Sequence, residues 1–167
     1  MFGALKTEIK NPKQINFNTK NDTLSIDENA LKTIPDINLM HQYAKQYLGK
    51  HADLFIAIKI EESGNNNNYS WLAKKHNNLC GMRFPNVRKT YAIGKTNSNY
   101  SIYKNWFDCM LDFKLYILKM EKHYIKKFNK VPNDIDLIEY MSTNFNHFET
   151  WKINLLNIIY TVKRKYN

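Results

Sequence analysis

Beyond residue 35, apolar residues recur every three or four positions, the spacing that places them on one face of an α-helix. Pro35 and Asp36 predict the start of a first helix, which Gly49 ends. A second, strongly apolar helix is predicted from about Ala52 to Glu62, and its density of apolar residues indicates a central core helix. A short helix follows from Tyr69 to Lys75. Three more are predicted to begin near Asn105, Pro132 and Phe148.

The helical spacing disappears between Leu79 and Tyr103. Short apolar stretches at 84–86, 91–94 and 100–103 are separated there by turns rich in Lys and Asn, which is typical of a small β-lobe. A mainly helical chain with one β-lobe inserted after its second or third helix has the layout of a lysozyme-like domain. We therefore predict an α+β fold, mainly α, over residues 36–167.

Residues 1–35 form a different region, polar and rich in Asn and Lys, with short apolar islands at 15–17 and 24–26. This pattern predicts an N-terminal arm that is extended or forms short strands. The first twelve residues lack the apolar segment of a signal peptide, and no run approaches the roughly 20 apolar residues of a membrane span. We expect a protein made in the cytoplasm without a signal peptide and not inserted in a membrane.

The net charge of +10 narrows the choice of partners, because a basic surface favours an anionic one. Nucleic acid, anionic lipid and an acidic cell-wall polymer all qualify, and a Lys-rich and Asn-rich composition can also reflect an AT-rich genome. The arginines are Arg83, Arg88 and Arg164. Specific readers of phosphates and bases usually depend on arginine, so nucleic acid is the weaker choice.

Two cysteines, Cys80 and Cys109, lie in apolar surroundings and are predicted to be buried free thiols, since a disulfide framework would need more of them. His76 and Cys80 stand at helical spacing, but two ligands do not complete a tetrahedral metal site. We therefore expect neither a metal nor another cofactor.

The candidate catalytic residues lie where the second helix ends. Glu61 and Glu62 occupy its last turn, and Ser63 and Gly64 end it, since Gly64 can adopt a left-handed conformation. A half-buried carboxyl at the negative pole of a helix is shifted towards its protonated form, which is the form that a general acid needs. On its own, such a glutamate is more often an ordinary surface carboxylate.

The residues around Glu62 carry a family resemblance. E-S-G begins at Glu62, S-W-L-A at Ser70 and N-N-L-C-G-M at Asn77. This order resembles the glucosaminidase family of bacterial and phage peptidoglycan hydrolases, with its E-S-G, S-x-L-A and N-N-L-F-G-hydrophobic blocks, although Cys80 replaces the usual Phe. The resemblance is to the mannosyl-glycoprotein endo-β-N-acetylglucosaminidase type, which includes flagellar muramidases. The matched positions are Glu62, Ser63, Gly64, Ser70, Leu72, Ala73, Asn77, Asn78, Leu79, Gly81 and Met82.

The likeness extends from about Gln42 to Ile159. A second block, Y-K-N-W-F-D-C-M-L-D-F from Tyr103, is similar to the family's Y-x-S-[WY]-x-[DE]-S-x-x-D-[FHY], and the segment from Phe145 is similar in spacing to the family's ending. Within the second block, Asp108 and Asp112 are expected to cap or brace their helix, and Trp106 to belong to the core.

The resemblance implies an endo-β-N-acetylglucosaminidase that cleaves a β-1,4 bond next to an N-acetyl sugar of peptidoglycan, with Glu62 as the catalytic general acid. The chain has no Asp or Glu between Gly64 and Phe107, so the lobe brings no second carboxylate. The substrate's own acetamido carbonyl is then the expected nucleophile. Phe145 stands where the family has a tyrosine that arranges sugar or water, and Tyr140 is the candidate replacement.

Aromatic and amide side chains complete the expected substrate site. Trp71, Tyr100 and Tyr103 offer flat surfaces to sugar rings, although for Tyr103 a place in the core is an equal alternative. Asn77 and Asn78 are expected either to hold the lobe or to bond acetamido groups. The remaining predicted substrate-binding residues are Tyr140 and Phe145.

A wall hydrolase without an export signal is released by lysis or carried in a particle, so we expect a bacteriophage lysin or virion-associated protein. Its expected partners are peptidoglycan glycan strands and other virion proteins. The alternative is a hydrolase-like fold whose activity is reduced or lost and which serves a virion as a structural or wall-binding component. A third option, a basic nucleic-acid binder, predicts DNA affinity that falls steeply with added salt.

Overall fold

The computed structural model describes residues 26, 29–64, 68–144 and 149–166. These residues are mainly helical with one small antiparallel sheet, so the prediction of an α+β fold that is mainly α is confirmed. The order is α1 (Ile37–Leu48), α2 (Ala52–Ser63), α3 (Trp71–His76), β1 (Gly94–Lys95), β2 (Ser101–Ile102), α4 (Trp106–Phe128), α5 (Asp134–Asn144) and α6 (Glu149–Tyr166).

Local signals determine where α1 and α4 begin and end. Asp36 caps α1, with its carboxylate accepting from the Leu39 N–H at 2.9 Å, and Asn105 caps α4 in the same way from Asp108 at 2.8 Å. Gly49 follows α1 with a φ of 58°, a left-handed value that suits glycine. The predicted starts of both helices and the predicted end of α1 are therefore correct to within a few residues.

Helix α2 is the centre of the core and packs against both α1 and α6. Leu54, Phe55, Ile56 and Ala57 are completely buried in succession, which requires neighbours on every side of the helix. Each such large side chain contributes about 1.5 to 3 kcal/mol of burial free energy. This packing fixes the position of the C-terminal turn of α2, where Glu62 lies.

The lobe between α3 and α4 has less strand than predicted. β1 and β2 have two residues each, paired with Gly94 opposite Ile102, and Arg83 forms an isolated bridge with Tyr100. The predicted stretches at 84–86 and 91–93 are irregular. Pro85 lacks an N–H for a ladder, and Arg88 and the Tyr91 N–H bond to Asp112 on α4 in place of a neighbouring strand.

A buried polar centre organises the lobe instead. Asp112, on α4, is completely buried and accepts two hydrogen bonds from Arg88, at 2.7 and 2.8 Å, and one from the Tyr103 hydroxyl at 2.7 Å. The Tyr91 N–H donates to it as well. Although desolvation raises the pKa of Asp112, the bonds from Arg88 and Tyr103 hold it below its usual value. Asp112 thus braces the lobe and not only its own helix.

Part of the predicted arm lies against the helices. The Trp106 indole donates to the Ala30 carbonyl at 3.0 Å, and Ile26 and Ile34 pack on the core. Residues 1–25, 27 and 28 lie outside the described residues, so the division at residue 35 stays a prediction. Trp106 itself is buried in the core, as expected.

Cys80 and Cys109 are both buried free thiols, which confirms that prediction. Among the described residues, no helix combines the length and the apolar character needed to cross a lipid bilayer.

Candidate functional site

A cleft of about 620 Å³ lies between the helices and the lobe, a size typical of small-ligand sites. Its helical wall includes Ile58 and Glu62 of α2, and its opposite wall is formed by residues 80–88 of the lobe. Further helices contribute Phe113, Tyr116, Lys119, Met120, Met141 and Trp151. We call this space the Glu62 cleft.

Glu62 lies on the wall of this cleft in the last turn of α2 and is half-buried. Its Oε1 accepts a hydrogen bond from the Trp151 indole N–H at 2.9 Å. The helix ends at Gly64, whose φ is 79° and whose N–H bonds to the Ile60 carbonyl. The adjacent Glu61 instead accepts from Asn154 at 3.2 Å. The two neighbouring glutamates therefore have different partners and different surroundings.

Burial raises the pKa of Glu62, and the negative charge of Glu61 raises it further, whereas the hydrogen bond from Trp151 lowers it. Desolvation is the largest of these effects, so the net pKa is above the usual value. Glu62 is thereby shifted towards the protonated form, and its open side faces the cleft. This is the combination that proton donation to a bound molecule requires.

Gly81 brings the lobe backbone against the carboxyl of Glu62. A Cβ at this position would lie 2.6 Å from Oε2 of Glu62 and 3.2 Å from its Cδ, and the φ of Gly81 is 59°. Both the contact and the conformation favour glycine. Each carboxyl oxygen of Glu62 therefore has its own neighbour, the Trp151 indole at Oε1 and the Gly81 backbone at Oε2.

Asn78 holds the lobe, which is one of its two expected roles. It is completely buried, donates to the carbonyls of Met82 at 2.8 Å and Ser101 at 3.0 Å, and accepts from the Met82 N–H at 2.8 Å. Its amide is fully used inside the protein. Asn77 has a left-handed φ of 52° and donates to the carbonyls of Tyr103 and Lys104, so it also ties α3 to the lobe.

Tyr103 lies in the core, which is one of its two expected positions. Only 2% of its surface is exposed, and its hydroxyl is committed to Asp112. A ring in this position is not accessible to a saccharide. Its contribution is to connect the end of the lobe to α4.

Tyr100 and Trp71 are accessible but belong to different surroundings. Tyr100 lines the Glu62 cleft, and the Arg83 guanidinium lies 3.8 Å from its ring centroid. Trp71 is 58% exposed and lines a second, smaller cleft of about 370 Å³, which Tyr100 also borders. The predicted sugar-binding aromatics are therefore distributed over two neighbouring clefts.

Tyr140 does not replace a tyrosine in the Glu62 cleft. Its ring packs edge-on against Tyr124 and Phe128, with centroids at 5.6 and 6.2 Å, and Met141 is the α5 residue that lines the cleft. Rotating Tyr140 towards the cleft would break this aromatic cluster. Phe145 lies outside the described residues.

Sequence reasoning missed the role of Trp151. Helical spacing predicts only that Trp151 lies on the buried side of the last helix, and its partner Glu62 is 89 positions away along the chain. No local pattern reports a contact of that separation. A half-buried indole needs a partner for its N–H, which is the one general signal that pointed to a buried acceptor.

Within the described part of the chain, Glu62 is the only acidic residue that lines the cleft. Comparison with protein-family models found no match, and neither curated proteins nor solved structures matched the chain significantly. The resemblance to glucosaminidases therefore rests on the residues quoted above and stays a prediction.

Proposed function

We propose that this protein is a peptidoglycan hydrolase that cleaves a β-1,4 bond next to an N-acetyl sugar, with Glu62 as its general acid. The observation that carries the proposal is the half-buried carboxyl of Glu62, with a raised pKa, on the wall of a cleft large enough for sugars. The E-S-G, S-W-L-A and N-N-L-C-G-M blocks support the same reading. We further propose that the fold is lysozyme-like, with the small β-lobe inserted between the helices.

In this mechanism the Glu62 carboxyl protonates the glycosidic oxygen as its bond to the anomeric carbon breaks. The acetamido carbonyl oxygen of the same sugar attacks that carbon and forms a cyclic oxazolinium ion. Water then opens the ring, and the Glu62 carboxylate takes the proton from that water. Substrate assistance is favoured because the described lining of the cleft offers no second acid.

Trp151 has a defined task in both steps. Its N–H donates to Oε1 of Glu62, so it stabilises the carboxylate that remains after proton transfer and fixes the orientation of the group. Oε2, on the side of Gly81, is then the oxygen available to donate the proton. Trp151 acts through Glu62 and is a positioning residue.

The test is clearing of a suspension of purified peptidoglycan. Glu62→Gln keeps the shape of the side chain but carries no transferable proton, so we expect a loss of about 10²-fold to 10⁴-fold in rate. Glu61→Gln is the matched control, because the neighbouring glutamate bonds Asn154, and this variant should still clear the suspension. Equal rates for Glu62→Gln and the unsubstituted protein would refute the proposal.

One observation favours a second candidate, a wall-binding structural protein without hydrolytic activity. The Glu62 cleft has a single acidic residue among its described lining residues, whereas many glycosidases use two. The second candidate predicts that the unsubstituted protein and Glu62→Gln both sediment with peptidoglycan and that neither releases soluble fragments. Clearing by the unsubstituted protein alone would exclude it.

A further inference from the structure

The second cleft lies between α3 and the tip of the lobe, beside the Glu62 cleft. Trp71, Lys75 and His76 line it from α3, and Asn97 and Tyr100 line it from the lobe. Aromatic rings and hydrogen-bonding groups are thus combined in one depression. Saccharides match such a lining, because their rings have an apolar C–H face and polar hydroxyl edges.

Trp71 is the dominant feature of this depression. The His76 ring meets it edge-on at 4.7 Å between centroids, and the Lys75 ammonium lies 5.4 Å from its centroid, yet 58% of the residue remains exposed. A large indole fixed by its neighbours but left open on the surface is a ready stacking platform. Exposed tryptophans that are held in this way are frequent anchors of binding sites.

The two clefts are neighbours, because Tyr100 lines both of them. Arg83 stacks on the Tyr100 ring and donates to the Ser98 carbonyl, so two contacts of this one side chain hold the lobe around Tyr100. A chain-like ligand that leaves the Glu62 cleft over Tyr100 therefore reaches Trp71. A short ligand occupies one cleft only.

The positive charge around the second cleft favours one kind of ligand. The sequence between Gly64 and Phe107 contains no acid, and Lys75, Arg83 and Lys95 are among its cations. Lys75 lines the second cleft itself. An anionic ligand is favoured over a neutral one by this distribution.

We propose that the second cleft is a distal subsite for a peptidoglycan glycan strand, in which Trp71 stacks on a sugar ring and Lys75 faces the carboxylates of the muramyl units. The identity of the ligand rests on the function proposed above. The subsite extends the contact of the strand beyond the bond that is cut. It would make long, acidic strands better ligands than short, neutral ones.

The direct test measures sedimentation with insoluble peptidoglycan in the Glu62→Gln background, where we expect turnover to be about 10²-fold to 10⁴-fold slower. Adding Trp71→Ala should weaken binding about tenfold, the effect of losing one aromatic anchor. The matched control adds Tyr160→Ala, which removes a ring that is 60% exposed on α6, outside the two clefts, and should leave binding unchanged. Unchanged binding after Trp71→Ala overturns the proposal.

Hydrolysis gives a second readout. Trp71→Ala should lower kcat/KM on long glycan strands more than on a short neutral chito-oligosaccharide. Lys75→Gln should make the binding of peptidoglycan less sensitive to salt. Tighter binding of the protein to a single-stranded thymidine oligonucleotide than to peptidoglycan would overturn the assignment and favour a nucleic-acid site.

Sedimentation and clearing together distinguish a failure of the hydrolase proposal from a failure of the distal subsite. If Trp71→Ala abolishes sedimentation but the unsubstituted protein hydrolyses nothing, the distal subsite stands and the hydrolase fails. If the protein clears peptidoglycan and Trp71→Ala changes neither binding nor substrate-length preference, the subsite alone fails.

Discussion

The helical core and the lobe are stabilised by different forces, although both border the Glu62 cleft. In the core, α2 is held by apolar side chains such as Leu54 and Phe55, which have no exposed surface. In the lobe, the order depends on the buried hydrogen bonds of Asn78 and Asp112, because β1 and β2 have only two residues each. One wall of the site is therefore fixed by packing and the other by polar contacts.

The largest expected effect is on the core. Phe55→Ala removes a completely buried ring that packs on Phe113, with centroids 5.4 Å apart, and should lower the free energy of unfolding by about 3 to 5 kcal/mol. Chemical denaturation measures this change. Ile153→Ala is the control, since Ile153 is 50% exposed and its loss should change stability by about 0.5 kcal/mol or less. Similar losses for both variants would contradict the central role of α2.

The next effect belongs to the lobe. Asp112→Asn keeps the size of the side chain but leaves Arg88 without its carboxylate, and it should cost about 3 kcal/mol. In the unsubstituted protein the Tyr91 amide donates to Asp112, so hydrogen exchange at this amide should become faster in the variant. Amides in the middle of α2 should change little.

Asp108→Asn is the matched control for this prediction, because Asp108 lies one turn earlier on the same helix and its loss should cost about 1 kcal/mol or less. If Asp108→Asn proved as costly as Asp112→Asn, the lobe would not depend on the Asp112 centre.

This contrast also explains how far the sequence predicts the structure. The ends of α1 and α4 are specified by adjacent residues, Asp36 and Asn105, and helical spacing identifies the buried faces. The lobe depends on partners such as Arg88 and Asp112, which are 24 positions apart, and hydrophobic spacing does not report them.

The residues of the Glu62 cleft also differ in how far the sequence predicts their roles. Glu62 is recognisable from a helix end followed by Gly64, and the structure places it on a cleft wall. Trp151 is not recognisable, because its contact with Glu62 exists only after α6 packs on α2. For Asn78 and Tyr103 the sequence leaves both a sugar-binding and a structural role open, because it does not show which polar groups are already satisfied inside the protein.

A smaller effect should appear where the lobe touches Glu62. Gly81→Ala places a Cβ 2.6 Å from Oε2 at a φ of 59°, so we expect a stability cost of about 1 to 3 kcal/mol and slower clearing of peptidoglycan. Gly94→Ala is the matched control, because a Cβ there meets nothing within 4 Å. If both variants behave alike in denaturation and in clearing, the close approach of Gly81 to Glu62 is not important.

The subtlest test concerns the pH dependence of hydrolysis. A general acid must be protonated, so activity is lost as pH rises through the pKa of Glu62, which burial raises above its usual value. The Trp151 N–H favours the carboxylate and lowers this pKa. Trp151→Phe keeps an aromatic ring in the cleft but removes the donor, so the pKa should rise and the alkaline limb of the activity profile should move to higher pH.

Glu61→Gln should move the same limb in the opposite direction, because the negative charge of Glu61 raises the pKa of Glu62. Added salt should reduce this second shift, since screening weakens the interaction between the two carboxylates, whereas the shift caused by Trp151→Phe should persist because it comes from a direct hydrogen bond. Activity profiles measured at low and high salt for both variants separate the two effects. Two shifts of the same sign would show that Glu62 is not the group whose protonation limits the reaction. The contact of Trp151 with Glu62, and with it the packing of α6 on α2, would then contribute only to stability.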